Sequence, residues 1–161
     1  MNKDYKVNPF TRFDKDWGLI TAGSPNKFNS MTISWGEMGT LWGEDVITVY
    51  VRPSRYTYGF MMANDVFTVS FFKDKRIHSV MGTKSGRDID KVASTGLTPI
   101  FSDEGITYKE AEETFYLKKI LFQQLDTSSF SDEAKKFYKD YNDKNDIHYM
   151  FVGKIIKHET K

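Results

Sequence analysis

The chain has 161 residues, with 23 Lys and Arg against 22 Asp and Glu, a net charge of +1 and a pI near 7.8. That balance gives no electrostatic footprint for nucleic acid or an anionic membrane. The absence of cysteine excludes disulfides, thiolate metal sites and a cysteine nucleophile. The length predicts one domain over 1–161, with its own core. No apolar run approaches the ~18 residues of a membrane span, and no signal-like start is evident, so a cytoplasmic protein is expected.

Residues 1–16 are polar and broken by Pro9, an irregular lead-in from which Phe10 and Phe13 should dock. Trp17–Thr21 reads as a strand and Ala22–Phe28 as a turn carrying Gly23, Ser24 and Pro25. Two alternating runs, Asn29–Trp35 and Val46–Val51, follow, separated by a Gly-rich stretch with Gly36, Gly39 and Gly43. Their period of two predicts adjacent antiparallel strands joined by a turn. In the first, Thr32 and Ser34 share one face, and Met31, Ile33 and Trp35 share the other. A hydroxyl-rich strand face needs partners if it is covered.

Pro53 stops the second strand, and Ser54 is positioned to cap a helix over Arg55–Ala63. Arg52, Ser54, Arg55 and Thr57 then converge on a helix N-terminus, the chemistry a phosphate monoester requires. The same residues also fit solvated arginines around a capped helix. Val66–Phe72 is a strand with Phe67, Val69 and Phe71 on one face and Thr68 and Ser70 on the other. Lys73–Met81 is expected to be helical. A loop, 82–88, lacks the spacing of a P-loop; Asp88 or Ser85 should cap a helix to Thr95, closed by Gly96. Ile106–Tyr108 is a short strand, and Ala111–Leu125 fits either a helix or a strand. Ser131–Tyr141 is a helix with the apolar stripe Ala134, Phe137, Tyr138 and Tyr141, then a turn at Asn142–Asp146 and a last strand over Ile147–Ile156.

His78, His148 and His158 do not fall at metal-ligand spacing with carboxylates, so no metal is expected. No Gly-x-Ser-x-Gly elbow and no Gly-x-Gly-x-x-Gly after a strand occurs. The aromatic content of 16% suits a β-rich core and a planar ligand equally.

Several motifs, taken together and in order, resemble the flavin reductase-like family, which includes the flavoredoxins. They are Trp17-Gly18-Leu19-Ile20-Thr21-Ala22-Gly23, Asn29-x-Met31-Thr32-x-Ser34-Trp35-Gly36, Leu41-Trp42, and Tyr50-Val51-Arg52-Pro53-x-Arg55-Tyr56-Thr57. Further matches are Phe67–Phe72, Ser85-Gly86-Arg87-Asp88-x-Asp90-Lys91, Thr95-Gly96-Leu97-Thr98-Pro99, and Asp146-x-His148 with Gly153.

The resemblance implies a mainly β protein, an FMN-binding split β-barrel with a few flanking helices. It therefore favours a strand from about Thr114. It implies a flavin ring against Asn29, Met31, Thr32, Ser34 and Trp35, with Ser70 and Phe71 completing the wall. The phosphate would lie on Arg52, Ser54, Arg55 and Thr57, helped by Arg87 or Lys91. Trp35 or Trp42 would stack near the ring, or serve as a core or dimer-interface residue. His148 would be catalytic, orienting a nicotinamide or a flavin proton; a strand-end histidine bonded to a carbonyl is the alternative.

The activity implied is hydride transfer from NADH or NADPH to FMN, with a flavoredoxin-like electron carrier reduced by a protein partner as the alternative. A homodimer is expected. The strand at Tyr116–Lys119 lacks the cysteine often found there in this family, which argues against redox chemistry at that place.

Overall fold

The computed structural model describes residues 4–138 and 145–161. Seven strands form one antiparallel sheet: β1 (Gly18–Ser24), β2 (Lys27–Ile33), β3 (Gly36–Leu41), β4 (Glu44–Val51), β5 (Val66–Phe71), β8 (Glu113–Gln124) and β9 (Tyr149–Thr160). The hairpin β6 (Pro99–Ser102) and β7 (Gly105–Tyr108) packs on β1 and β5. The order across the large sheet is β2-β1-β5-β8-β9-β4-β3.

That order dictates the shape. β2 and β3 are opposite edges, yet only Ser34 and Trp35 separate them in sequence. Six strand spacings in a flat sheet would set the edges roughly 29 Å apart. The linker from Ile33 to Gly36 can span roughly 11 Å at most. The sheet must therefore curl until its edges meet at the linker, and the result is a split barrel. Phe67, Val69, Phe71, Phe115, Leu117 and Phe151 fill its interior. A second cluster, Leu19, Phe72, Ile77, Met81 and Tyr108, lies outside it, so β5 is covered on both faces.

Several expectations need correction. Asn29–Trp35 does not pair with Val46–Val51; β2 pairs with β1, in register from Gly18↔Ile33 to Ser24↔Lys27, and β4 pairs with β3 and β9. Alternation assigns residues to faces, but it carries no information about the neighbouring strand. The expected turn at Ala22–Phe28 shrinks to Pro25 and Asn26. The Gly-rich stretch is itself a strand: a Cβ on Gly36 would lie 2.6 Å from the Phe13 ring, so glycine there reflects packing rather than turning. The turn is confined to Trp42 and Gly43, both at positive φ (53° and 77°), the type I′ geometry of a two-residue hairpin.

Phe13 docks as expected, whereas Phe10 is 86% exposed. Helix α1 spans Tyr56–Ala63, with Arg55 rather than Ser54 at its N-cap. Lys73–Met81 forms only a 3-10 turn, Lys75–Ile77, and one helical turn, His78–Met81. Asp90, not Asp88 or Ser85, caps helix Lys91–Thr95, accepting from the Ala93 amide at 2.9 Å; Gly96 closes it. The 111–125 ambiguity resolves to strand β8. Of the expected helix at Ser131–Tyr141, a single turn forms over Asp132–Lys135; its end and most of the following turn lie outside the described residues.

Candidate functional site

Where β4 ends, Pro53 cannot extend the ladder, and the chain folds back with the Arg55 amide donating to the Arg52 carbonyl at 3.0 Å. Helix α1 starts there with no side chain capping it. Its first turn faces loop 82–87 and Lys91 across a cavity of about 120 Å³. Arg55, Lys84, Arg87 and Lys91 line this cradle, and no carboxylate does so among the described residues.

Four cations gathered without a counter-charge are costly unless an anion joins them. Lys91 shows the strain. It is buried, its Nζ donating to the carbonyls of Met81 (3.0 Å) and Lys84 (3.2 Å). Burial, and then the nearby Arg55, push its pKa down to about 8. Arg87 donates to the Ser54 carbonyl at 3.3 Å and lies 4.9 Å over the Tyr56 ring. The floor is tightly set: Asn29 Nδ2 donates to Thr57 Oγ1 at 2.7 Å, and a Cβ on Gly86 would fall 2.2 Å from Asn29 Oδ1.

Met31, Ser54 and Arg55 also line a second cavity of about 360 Å³, so the two are parts of one groove. This larger part runs along the split between β2 and the end of β4. Thr32, Ile33, Ser34, Trp35, Tyr50, Arg52, Asp146 and His148 complete it. Arg52 turns away from the cradle, pairing with Asp146 at 3.5 Å and lying 5.3 Å over Tyr138. Asp146 also accepts from the Ser54 amide at 3.0 Å. Burial pushes its carboxyl up, but the bonds from Ser54 and Arg52 outweigh it and hold it below the usual carboxylate range. His148 Nδ1 lies 2.8 Å from the Tyr138 hydroxyl, and its ring centroid is 5.0 Å from Trp35. Burial, and then Arg52, depress its pKa to about 4, so the imidazole is neutral at pH 7.

The structure thus brings together Asn29, Met31, Ser54, Arg55, Thr57, Arg87 and Lys91 around the cradle. Thr32, Ser34, Trp35, Arg52 and His148 gather in the larger part. Ser70 and Phe71 do not belong to either. Both are fully buried, Ser70 bonded to Thr114 (3.0 Å) and Phe71 packed edge-on to Phe13. Period-two alternation assigns them opposite faces but cannot show that both faces are covered. Trp42 sits at the hairpin tip, 71% exposed, and lines neither part of the groove.

Tyr50 and Asp146 line the site without having been assigned to it from sequence; for Asp146 the only signal is its place in Asp-x-His. Among the described residues, no group of three or more His, Asp or Glu is arranged to hold a metal. No helix there is long and apolar enough to cross a membrane.

The flavin reductase-like domain matches residues 10–160. Among solved structures, the flavoredoxin of Methanosarcina acetivorans superposes with a TM-score of 0.70 at 18% identity, over 100% of this chain and 74% of that one. An FMN-binding protein of Thermus thermophilus gives 0.69 at 16%, over 100% and 80%. The flavin reductase of the Pseudomonas putida S12 styrene monooxygenase gives 0.65 at 12%, over 91% and 79%. Comparison with curated proteins returns no match.

Proposed function

The chain belongs to the flavin reductase-like family, and from that premise we propose that it binds FMN and transfers hydride to it from NADH or NADPH. One observation carries the reading: a cradle lined by four cations and, among the described residues, no carboxylate opens into a larger groove walled by Thr32, Ser34, Trp35, Tyr50 and His148. The donor set fits a phosphate ester tethered to a planar heterocycle. Arg55, Arg87 and Lys91 would hold the phosphate, with the uncapped start of α1 contributing its dipole. Thr32 and the β2 edge would bond the polar rim of the ring, and Met31 and Trp35 would bound it.

The flavin, when bound, supplies the hydride-accepting chemistry. The protein's part is to bind, orient and set the local charge. Neutral His148, held by Tyr138 beside Trp35, offers an uncharged edge against which a nicotinamide can be oriented.

An electron carrier reduced by a protein partner is the second reading. It is supported by exposed Trp35 and Phe137, which meet edge-on at 6.4 Å beside the groove and could receive a partner. A soluble, single-domain homodimer belongs to either version, and light scattering at micromolar concentration would return a monomer if that is wrong.

The test is anaerobic: the protein is reconstituted with FMN, NADH or NADPH is added, and visible absorbance is followed. Rapid bleaching is the expected result. A stable yellow complex reduced by dithionite alone would favour the carrier, and no yellow complex would refute both.

A further inference from the structure

Thr32 lines the larger part of the groove, and its hydroxyl lies 2.7 Å from Nδ1 of His78. His78 is buried behind it, edge-on to Trp17 at 5.7 Å and to Phe72 at 6.5 Å. Its other ring nitrogen, Nε2, is the one buried side-chain polar atom among the described residues with no hydrogen-bond partner. Burial, and then the charge of Lys75, push the ring's pKa down to about 4, so at neutral pH it carries a single proton on one of two nitrogens.

The two placements differ in what they leave unmet. With the proton on Nε2, a buried N–H has no acceptor, and the Thr32 hydroxyl spends its own proton on Nδ1. With the proton on Nδ1, that N–H is satisfied by Thr32 Oγ1, and only a lone pair at Nε2 goes unfilled. Orphaned buried N–H groups are rarer than under-used acceptors, and leaving a donor unmet costs its full desolvation penalty. The second arrangement also leaves the Thr32 O–H free to point into the groove.

We infer that His78 is a positioning residue: by donating from Nδ1 to Thr32 Oγ1, it frees the Thr32 hydroxyl to donate a hydrogen bond to an acceptor atom on the rim of the ring bound in the groove. This rests on the flavin reading of the site. With its proton unspent, Oγ1 can donate to a ring carbonyl or bare ring nitrogen, whereas under the other placement the hydroxyl could only accept, from a ring N–H. His78 does not touch the ligand; it acts through the threonine.

Nitrogen-15 NMR of the histidine-labelled protein without flavin tests the proton placement directly. A proton-bearing Nδ1 and a bare Nε2 are expected for His78, and the reverse pattern would overturn the inference. Because this uses the wild-type chain, it stands even if a variant fails to fold.

Binding supplies the second readout, with riboflavin and FMN as probes. His78→Asn, whose amide nitrogen can stand in for Nδ1, should keep both affinities within about threefold, whereas His78→Leu and Thr32→Val should each lose roughly tenfold for both. The double variant should lose no more than either alone. Undiminished affinity in folded His78→Leu would refute the role of His78 and leave the flavin site standing. Wild-type protein that binds no FMN would instead refute the site itself, and this inference with it.

Discussion

At the Asn29 end of β2 the groove is walled by Arg55, Lys84, Arg87 and Lys91, whereas at the Ser34 end it is walled by Trp35, Tyr50 and a histidine held neutral. The first end is cationic and small. Burial, and then the charge of Arg55, depress Lys91, and an anion in the cradle would relieve the repulsion. The second end is about three times larger in volume; Arg55 lies where the two parts join, and Arg52 is already paired with Asp146. One strand therefore serves two recognition chemistries a few residues apart: charge captures one part of a ligand, while shape and hydrogen-bond polarity select the other.

Changes at the cradle should separate FMN from riboflavin, which lacks the phosphate. The largest effect is expected for Arg55→Ala, which removes a charge-assisted contact worth about 1.5–3 kcal/mol, or roughly 10–100-fold in FMN affinity. Riboflavin binding should hardly change, as read by flavin fluorescence titration. An equal loss for both would mean that Arg55 supports the fold or the ring rather than the phosphate.

Gly86→Ala comes next. Its Cβ would fall 2.2 Å from Asn29 Oδ1, so Asn29 must move and its bond to Thr57 is lost. Overpacking of this kind costs about 1–3 kcal/mol, and calorimetry should show a lower Tm together with weaker FMN binding. Trp35→Ala, at the other end, should weaken FMN and riboflavin alike, by roughly two- to tenfold if the ring stacks there.

A separate expected effect, on the fold rather than on the ligand, is pH-dependent stability. His78 and His148 both titrate near 4 in the folded protein against an ordinary 6.5, so the unfolded chain takes up protons first as pH falls. Stability present above about 6.5 should decline toward pH 4, as thermal denaturation would show. His78→Asn should flatten part of that decline.

The strands at Val46–Val51 and Val66–Phe72 were legible because alternation and β-branched side chains act locally. The pairing of β2 was not, since it depends on a curl imposed by two linker residues on a seven-stranded sheet. β3 was hidden by its glycines, of which Gly36 makes room for the Phe13 ring. At the site, Arg55 and Thr57 could be placed from their distance to a strand stop. The buried end of Ser70 and the removal of Arg52 to Asp146 depend on neighbours distant in sequence. His78 offered no signal beyond being a histidine; its meaning comes from a 2.7 Å contact across 46 positions.

The most direct test of the two-ended site is a paired titration of the wild-type chain with FMN and riboflavin at fixed ionic strength. FMN should bind at least about 100-fold more tightly, the yield of more than one charge-assisted phosphate contact, and this margin should shrink as salt rises. Equal affinities at every salt concentration would contradict the account, because the cationic end would then contribute nothing to holding the ligand.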